Sequence, residues 1–347
     1  MENKIKILLL VSAVLFFSVS YNKADAIPDI SAQSYIVVDS ETGRIIGSNN
    51  PAEKLPIAST TKIMTSILAI ENTDDIEKKI EVPAECTGIE GSGIYLKPRE
   101  MVSIKDLLYG IMLRSGNDAA ETLAVYAGRN SKDGFVAMMN EKAQELGAYN
   151  SNFTNPHGLN DKNHYSTAYD LALISRYAMK NDLFKKISSS EKYTAESMNT
   201  VFYNKNKVVH QYEYGNGIKI GYTKAAGRCL VASAEKEGTE IIVVVLNDHN
   251  WFQDSYKIFD WAFENYKSYS ITESGQFAGR TDDGRPVFIS DSFSYLLTEE
   301  EKDKIRFEPK ISDPYTLNKG SMTISGSYNI YLDNELIHTG SLVRGNE

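Results

Sequence analysis

Ser59 and Lys62 lie three residues apart at the start of an apolar segment, 59–70, with the sequence STTKIMTSILAI. On a helix, positions i and i+3 share one face, so the hydroxyl and the amine would be neighbours. The segment is apolar nearly all round, which predicts a helix buried in the core. Burial lowers the pKa of a lysine, and a neutral amine can take a proton from a serine. The pair predicts an activated nucleophile, although Ser59 could also be a simple N-cap.

Ser115 and Asn117 form a second polar pair, which interrupts a helical pattern that begins at Ser103. Ser103 followed by Asp106 predicts the helix start, and apolar residues continue to Leu113. Ser, Gly and Asn favour turns, so an ordinary loop is also compatible with this stretch. A loop between two apolar helices would nevertheless place both side chains at a junction. There a hydroxyl could relay a proton, and an amide could bind a substrate carbonyl.

Lys219 lies within 217–223, where alternating side chains predict a β-strand. The alternation places Lys219 and Gly221 on the same face of the strand. Glycine leaves room for a ligand to approach the backbone on that face. A single strand lysine usually points to solvent, but the two preceding pairs give Lys219 a site to face.

The order S-x-x-K, S-x-N and K-x-G is typical of penicillin-binding proteins and class A β-lactamases. The chain resembles the D-alanyl-D-alanine carboxypeptidases, low-molecular-weight penicillin-binding proteins of the serine-type carboxypeptidase family. The resemblance extends over residues 32–265 and is densest in ASTTKIMT (58–65), MLRSGNDAAE (112–121), NPHGL (155–159) and GIKIGYTKAAGRCLVASA (217–234). It implies a β-lactamase/transpeptidase-like fold and removal of the terminal D-alanine from peptidoglycan pentapeptide stems (D-Ala-D-Ala), with β-lactams as inhibitors.

Carried over position by position, the resemblance implies that Ser59 is the acylated nucleophile and that Lys62 accepts its proton. Ser115 would pass a proton to the leaving D-alanine. The substrate-binding residues would be Asn117 for the substrate amide and Lys219 for the carboxylate, with Gly221 and Tyr222 beside them. The backbone N–H groups of Ser59 and Tyr222 would form the oxyanion hole, in which one donor is typically worth about 3 kcal/mol.

Ile220 departs from the family pattern, which has Lys-Thr-Gly or Lys-Ser-Gly. The hydroxyl that it replaces normally helps to bind the free carboxylate of the terminal D-alanine or of a β-lactam. A hydrogen bond to a charged group contributes about 1.5–3 kcal/mol. We therefore expect weaker or altered carboxylate recognition with an intact acylation machinery. No arginine between Arg228 and Arg280 replaces the hydroxyl, and Thr223 is a weak substitute.

Two other functions are compatible with the same fold. The departure at Ile220 suggests a catalytically weak cell-wall-binding or scaffold protein, and a β-lactamase is the second alternative. Class A β-lactamases deacylate with a glutamate, and none can be assigned near 155–165. A Ser-His-Asp hydrolase is disfavoured because there is no G-x-S-x-G elbow. His157 is expected to order its loop through a hydrogen bond.

The elements that must position these residues predict an α+β domain with one antiparallel sheet and a helical insertion. The predicted strands are an early hairpin, 35–39 and 44–48, and three late strands, 217–223, 229–236 and 240–247. A helix over 251–266 places one aromatic face on the sheet. Beyond residue 268, short alternating runs predict a small all-β domain.

The N-terminal residues 1–26 have the pattern of a signal peptide, with lysines before an apolar run and an A-x-A site at its end. We expect an exported protein, secreted or at the extracytoplasmic face of the membrane or wall, with membrane contact only if this segment is retained. We expect the remaining chain to divide into a penicillin-binding serine peptidase domain, 27–267, and a C-terminal β-rich domain, 268–347.

The composition argues against other classes of partner. The formal net charge of −9 disfavours nucleic acid. No metal-ligand spacing occurs, so we predict neither a metal nor another cofactor. Two cysteines cannot form a disulfide framework for 347 residues, and we expect Cys86 and Cys229 to be buried free thiols.

Overall fold

A computed structural model of the protein describes residues 26–129, 131–312 and 322–345. Apart from its last residue, the predicted signal peptide lies outside the described residues. Within the described ranges, no helix is long and apolar enough to cross a membrane.

The strands are short and are spread over the whole described chain. In order they are β1 (Ser34–Asp39), β2 (Ile45–Asn49), β3 (Lys79–Glu81), β4 (Met101–Ser103), β5 (Lys192–Ala195), β6 (Thr200–Tyr203), β7 (Gly215–Thr223), β8 (Gly227–Lys236), β9 (Thr239–Leu246), β10 (Lys267–Thr272), β11 (Phe277–Arg280), β12 (Pro286–Ile289), β13 (Phe293–Leu297), β14 (Ile305–Ile311), β15 (Met322–Leu332) and β16 (Glu335–Gly345).

Most helices lie between the early and the late strands of the chain. The α-helices are α1 (Lys62–Glu71), α2 (Ile104–Tyr109), α3 (Asn117–Ala127), α4 (Lys132–Glu145), α5 (Ala168–Met179), α6 (Asp182–Ser188), α7 (Val208–Gln211), α8 (Trp251–Asn265) and α9 (Glu299–Lys302). A 3-10 turn precedes α1 at Ala58–Thr61, and a π-helical turn, Gly110–Arg114, follows α2.

Five strands form one antiparallel sheet in the order β2-β1-β9-β8-β7. The buried middle residues of its central strands β1, β8 and β9 are mostly apolar because both faces of the sheet are covered. Ile36 and Val38 pack with helices α1 to α6 on the inner face, whereas Val37 packs with Ile258 and Phe259 of α8 on the outer face. The predicted α+β class, with a helical insertion between early and late strands, is confirmed. Strand β7 lies at one end of the sheet.

The helical insertion begins differently from the prediction at 59–70. Residues Ala58–Thr61 form the 3-10 turn, and the α-helix starts only at Lys62. Helix α1 is surrounded by the inner core, as its apolar sequence predicts, and Lys62 is among its buried residues. The N-cap at Ser103 also forms as predicted, since its hydroxyl accepts a hydrogen bond from Asp106 N at 3.1 Å.

The C-terminal region is β-rich, as predicted, and has its own small core. Strands β11, β12, β14, β15 and β16 form a second sheet in the order β11-β12-β16-β15-β14, and β10 pairs with β13. Val287, Tyr328, Ile330 and Leu342 are at the centre of this core. Arg44, next to the first hairpin turn, connects the two regions by hydrogen bonds to the Leu296 carbonyl and to Glu301 in the described structure. The exact domain division at 267/268 stays a prediction.

Both cysteines are buried and free, as predicted from their number. Cys86 is the last residue of a short 3-10 turn, Ala84–Cys86, and Cys229 lies in β8 against the inner core. Burial raises the pKa of the Cys86 thiol to about 11 and that of Cys229 to about 12. Both thiols are therefore protonated at neutral pH.

Candidate active site

Ser59 and Lys62 face each other at the point where the 3-10 turn becomes helix α1. The Lys62 Nζ atom lies 3.0 Å from Ser59 Oγ. The lysine has 0% of its surface exposed, so its amine is inside the protein beside the serine. The two side chains are neighbours, as expected for positions i and i+3, although the turn between them is a 3-10 turn, which is tighter than an α-helix.

Lys62 makes two further hydrogen bonds, both 2.7 Å long. Its Nζ atom donates to Asn117 Oδ1 and to the backbone carbonyl of His157. Burial lowers the pKa of Lys62 well below its usual value, and the nearby charge of Lys219 lowers it further, whereas Asp118 opposes the shift. A neutral amine has two N–H donors and one lone pair. Two donors for the two carbonyl oxygens leave the lone pair for the Ser59 hydroxyl.

Two glycines allow the chain to close around the serine. A Cβ atom on Gly221 would lie 2.7 Å from Ser59 N and 3.0 Å from Thr60 N, so strand β7 contacts the serine turn through bare backbone. Gly158 has φ +85°, and a Cβ there would lie 1.9 Å from the Ala58 carbonyl oxygen. The NPHGL segment and β7 therefore enclose the serine turn on two sides.

Ser115 and Asn117 lie where the π-helical turn ends and α3 begins. Ser115 adopts a left-handed conformation with φ +63°, which is uncommon for a non-glycine residue and frequent at functional sites. Both side chains are buried. The Asn117 amide is fixed from both ends, because Oδ1 accepts from Lys62 and Nδ2 donates to the Glu90 carbonyl. The predicted junction thus brings Asn117 directly to Lys62.

Asp118 was not predicted from sequence, yet it holds one wall of the site. Its carboxylate accepts hydrogen bonds from Ile94 N at 3.0 Å and from Leu96 N at 3.1 Å. The same loop accepts from Asn117, whose backbone N–H donates to the Ser92 carbonyl at 2.7 Å. An acidic residue in the first turn of a helix directly after S-x-N was the signal available for it.

Lys219 is buried on the inner face of the sheet, with 1% of its surface exposed. It pairs across the sheet with Val231, and Gly221 pairs with Cys229, both of which belong to the inner core. Burial lowers the pKa of Lys219 to about 7, and the charge of Lys205 contributes to the shift. Lys205 was also missed, since nothing in its local sequence distinguishes it from a solvated lysine.

Ile220 and Tyr222 turn away from Lys219, onto the outer face of β7. Ile220 is half-buried, pairs with Leu230 and packs against the outer core with α8. Tyr222 is 63% exposed, so what β7 offers the serine at this point is backbone rather than a side chain. Ile220, which occupies the position of Thr or Ser in the family pattern, therefore lies on the outer face next to the edge of the sheet.

His157 orders the NPHGL loop through hydrogen bonds, as predicted. Its Nδ1 atom accepts from Leu159 N at 3.1 Å, so the proton is on Nε2, which donates to Glu121 at 2.9 Å. Burial lowers the pKa of the imidazole. The neutral ring fixes the loop whose carbonyl accepts the Lys62 hydrogen bond. The sequence did not predict that the His157 carbonyl accepts a hydrogen bond from Lys62. The only local indication was Gly158, directly after His157.

Comparisons with known proteins place this geometry in a family. The sequence profile of the family described as D-alanyl-D-alanine carboxypeptidase matches residues 21–250. The chain is 32% identical over 331 residues to the D-alanyl-D-alanine carboxypeptidase DacF of Bacillus subtilis, covering 89% of this chain and 85% of that protein. It is 30% identical over 348 residues to DacA of Escherichia coli, covering 91% and 83%.

A solved structure agrees with these sequence matches. The crystal structure of penicillin binding protein 5 from Haemophilus influenzae has a TM-score of 0.77 to this chain and is 26% identical to it. The match covers 92% of this chain and 98% of that one. The β-lactamase/transpeptidase-like fold implied by the sequence resemblance is therefore confirmed.

Proposed function

The chain belongs to the D-alanyl-D-alanine carboxypeptidase family, and from this premise we propose that it removes the terminal D-alanine of peptidoglycan pentapeptide stems through an acyl-enzyme on Ser59. It is a serine peptidase. The observation that carries the assignment of roles is the buried contact of 3.0 Å between Lys62 Nζ and Ser59 Oγ.

In the acylation step, the neutral Lys62 amine takes the Ser59 proton while Oγ attacks the carbonyl carbon of the penultimate D-alanine. A C–O bond forms, and the carbonyl π electrons move to its oxygen. The backbone N–H groups of Ser59 and Tyr222 are proposed to hold this oxyanion, each donor contributing about 3 kcal/mol. The bare backbone of Gly221 against Ser59 N supports this pairing of donors, because it keeps β7 next to the serine turn.

The leaving group then needs a proton. When the tetrahedral intermediate collapses, the C–N bond breaks and the amine of the terminal D-alanine accepts the proton held by Lys62, relayed by the Ser115 hydroxyl. Asn117 is proposed to bind the substrate amide, and Lys219 to provide positive charge near the carboxylate. Asn117 is held by both Lys62 and the Glu90 carbonyl, which supports its use as a positioned group.

Deacylation repeats the same chemistry with water. Lys62 takes a proton from water, which attacks the ester carbonyl, and the Ser59 oxygen recovers the proton as the C–O bond breaks. The shortened stem is released with a new carboxylate. A β-lactam would acylate Ser59 by the same first step, since its strained amide occupies the position of the scissile peptide bond.

The assignment is tested by labelling the protein with a fluorescent penicillin. We expect one covalent adduct per chain, located on Ser59 by peptide mass spectrometry, and no adduct in Ser59→Ala. Ser66→Ala is a matched control, because Ser66 lies in the same buried helix with no hydrogen-bond partner for its hydroxyl in the described structure. An adduct retained in Ser59→Ala would show that another residue is the nucleophile.

The alternatives are not favoured by the family and its relatives. A wall-binding scaffold has no support beyond Ile220. For a β-lactamase, deacylation would need a carboxylate at the site, and in the described residues no acidic side chain hydrogen-bonds to Ser59 or Lys62. We also propose that the protein is exported, because its substrate lies outside the cytoplasm and residues 1–26 have the signal-peptide pattern.

A further inference from the structure

A basic cavity lies between the turn that joins β7 to β8 and the segment that follows β9. Its volume is about 600 Å³, and its lining includes Tyr222, Lys224, Arg228, Asn247 and His249. Three of these side chains are basic, and none is acidic. In a protein with a net charge of −9, such a concentration of basic groups is compatible with a bound anion.

The basic side chains of this cavity are not neutralised by the protein. The Arg228 guanidinium donates one hydrogen bond, to the backbone carbonyl of His249, and forms no ion pair within the described residues. That bond fixes one edge of the guanidinium and leaves its other N–H groups available. Arginine is well suited to a carboxylate because its planar donors match the two oxygens.

Strand register places Arg228 within reach of the position left apolar by Ile220. Arg228 pairs directly with Tyr222, and Ile220 lies two residues before Tyr222 on the same face of β7. Arg228 and Ile220 are thus diagonal neighbours, a distance of about 7–8 Å that long side chains span. Since β7 is the outermost strand of its sheet, a guanidinium that leaves the His249 carbonyl needs to cross only that strand to reach the edge.

We propose that Arg228, with Lys224 at the rim of the basic cavity, binds the terminal carboxylate of the D-Ala-D-Ala substrate in place of the missing hydroxyl. The inference rests on the proposed carboxypeptidase activity. The sequence alone did not point to Arg228, whereas the register places it on the strand next to β7, diagonal to Ile220. Ile220 is then part of an altered carboxylate site, in which an arginine takes over the role of the missing hydroxyl.

The test compares two peptides with wild type and Arg228→Ala. One is diacetyl-L-Lys-D-Ala-D-Ala, whose terminal carboxylate is its only one, and the other is the same peptide as its C-terminal amide. We expect Arg228→Ala to lower kcat/KM for the acid by about 10- to 150-fold, the effect of one hydrogen bond to a charged group. We expect a change below about threefold for the amide, because that peptide has no negative charge for the guanidinium.

Three further variants make the result specific. Arg228→Lys should keep part of the activity on the acid, and Ile220→Thr should restore activity to Arg228→Ala by a larger factor than it gives in wild type. Lys180→Ala removes an exposed lysine from the C-terminal end of α5 and should leave both peptides unaffected. Thermal unfolding of each variant checks that the exposed Arg228 does not support the fold.

Several outcomes would overturn the inference. Equal losses of kcat/KM for the acid and the amide would mean that Arg228 supports the conformation of its strand and does not bind the carboxylate. An unchanged kcat/KM of Arg228→Ala for both peptides would mean that Arg228 does not contribute to the substrate site. A wild type inactive on both peptides would instead refute the proposed function, and this inference with it.

Discussion

Replacing Gly221 by alanine should shift the position of Ser59 without changing any of the side chains proposed to carry out the chemistry. The new Cβ would lie 2.7 Å from Ser59 N, while ordinary contact begins at 3.4 Å, so β7 and the serine turn must move apart by about 0.7 Å. The nearest atoms are backbone, which cannot rotate away. Because a misplacement of ~1 Å can cost about 100-fold in rate, we expect acylation of Ser59 to slow by roughly 10- to 100-fold.

The assay is the second-order rate constant for acylation by a fluorescent penicillin, read by stopped flow, with thermal unfolding measured in parallel. Gly238→Ala is the matched control. It lies at φ +78° with nothing within 4 Å of the added Cβ, so it introduces backbone strain far from the site. We expect Gly238→Ala to lose stability but acylate at the wild-type rate. Wild-type acylation by Gly221→Ala would refute the argument that bare backbone at this position aligns the serine.

Three other changes test separate parts of the account. Asp118→Asn removes a charged acceptor from the Ile94 and Leu96 amides and should lower the free energy of unfolding by about 2 kcal/mol in urea titrations. The control Asp133→Asn, on the exposed first turn of α4, should change it by less than about 0.5 kcal/mol. Equal effects of the two substitutions would contradict the role of Asp118. Ile220→Thr should raise kcat/KM for the peptide acid by no more than about tenfold, and a gain from near zero would instead favour the scaffold reading. Because the pKa of Lys219 is lowered from 10.5 to about 7, the unfolded state binds more protons than the folded state between these values. The free energy of unfolding should therefore rise with pH from about 7 to 10.5, with a smaller slope in Lys219→Met, and a slope unchanged by that substitution would show that Lys219 is not the group involved.

The sequence predicted the parts of the site that depend on local pattern. The apolar surroundings of Lys62 forecast its burial, and strand alternation placed Lys219 and Gly221 on one face. Ser103 and Asp106 marked a helix start correctly. These features follow from side-chain periodicity and capping, which are properties of neighbouring residues.

The remaining parts depend on contacts between distant segments, which one sequence does not reveal. The carbonyl of His157 and the loop held by Asp118 reach Lys62 and Asn117 only in the folded chain. The π-helical turn Gly110–Arg114 also has no local signal, because the four residues after Gly110 are ordinary helix formers. Arg228 was passed over for the same reason, since its relation to Ile220 depends on strand register.

The central claim is that Ser59, activated by the buried Lys62, removes the terminal D-alanine. Its most direct test is the release of free D-alanine from diacetyl-L-Lys-D-Ala-D-Ala, measured with wild type, Ser59→Ala and Lys62→Ala. Wild type should release one D-alanine per peptide, and both variants should lose at least about 1,000-fold in kcat/KM while remaining folded. Release by Ser59→Ala at a rate near that of wild type would contradict the account.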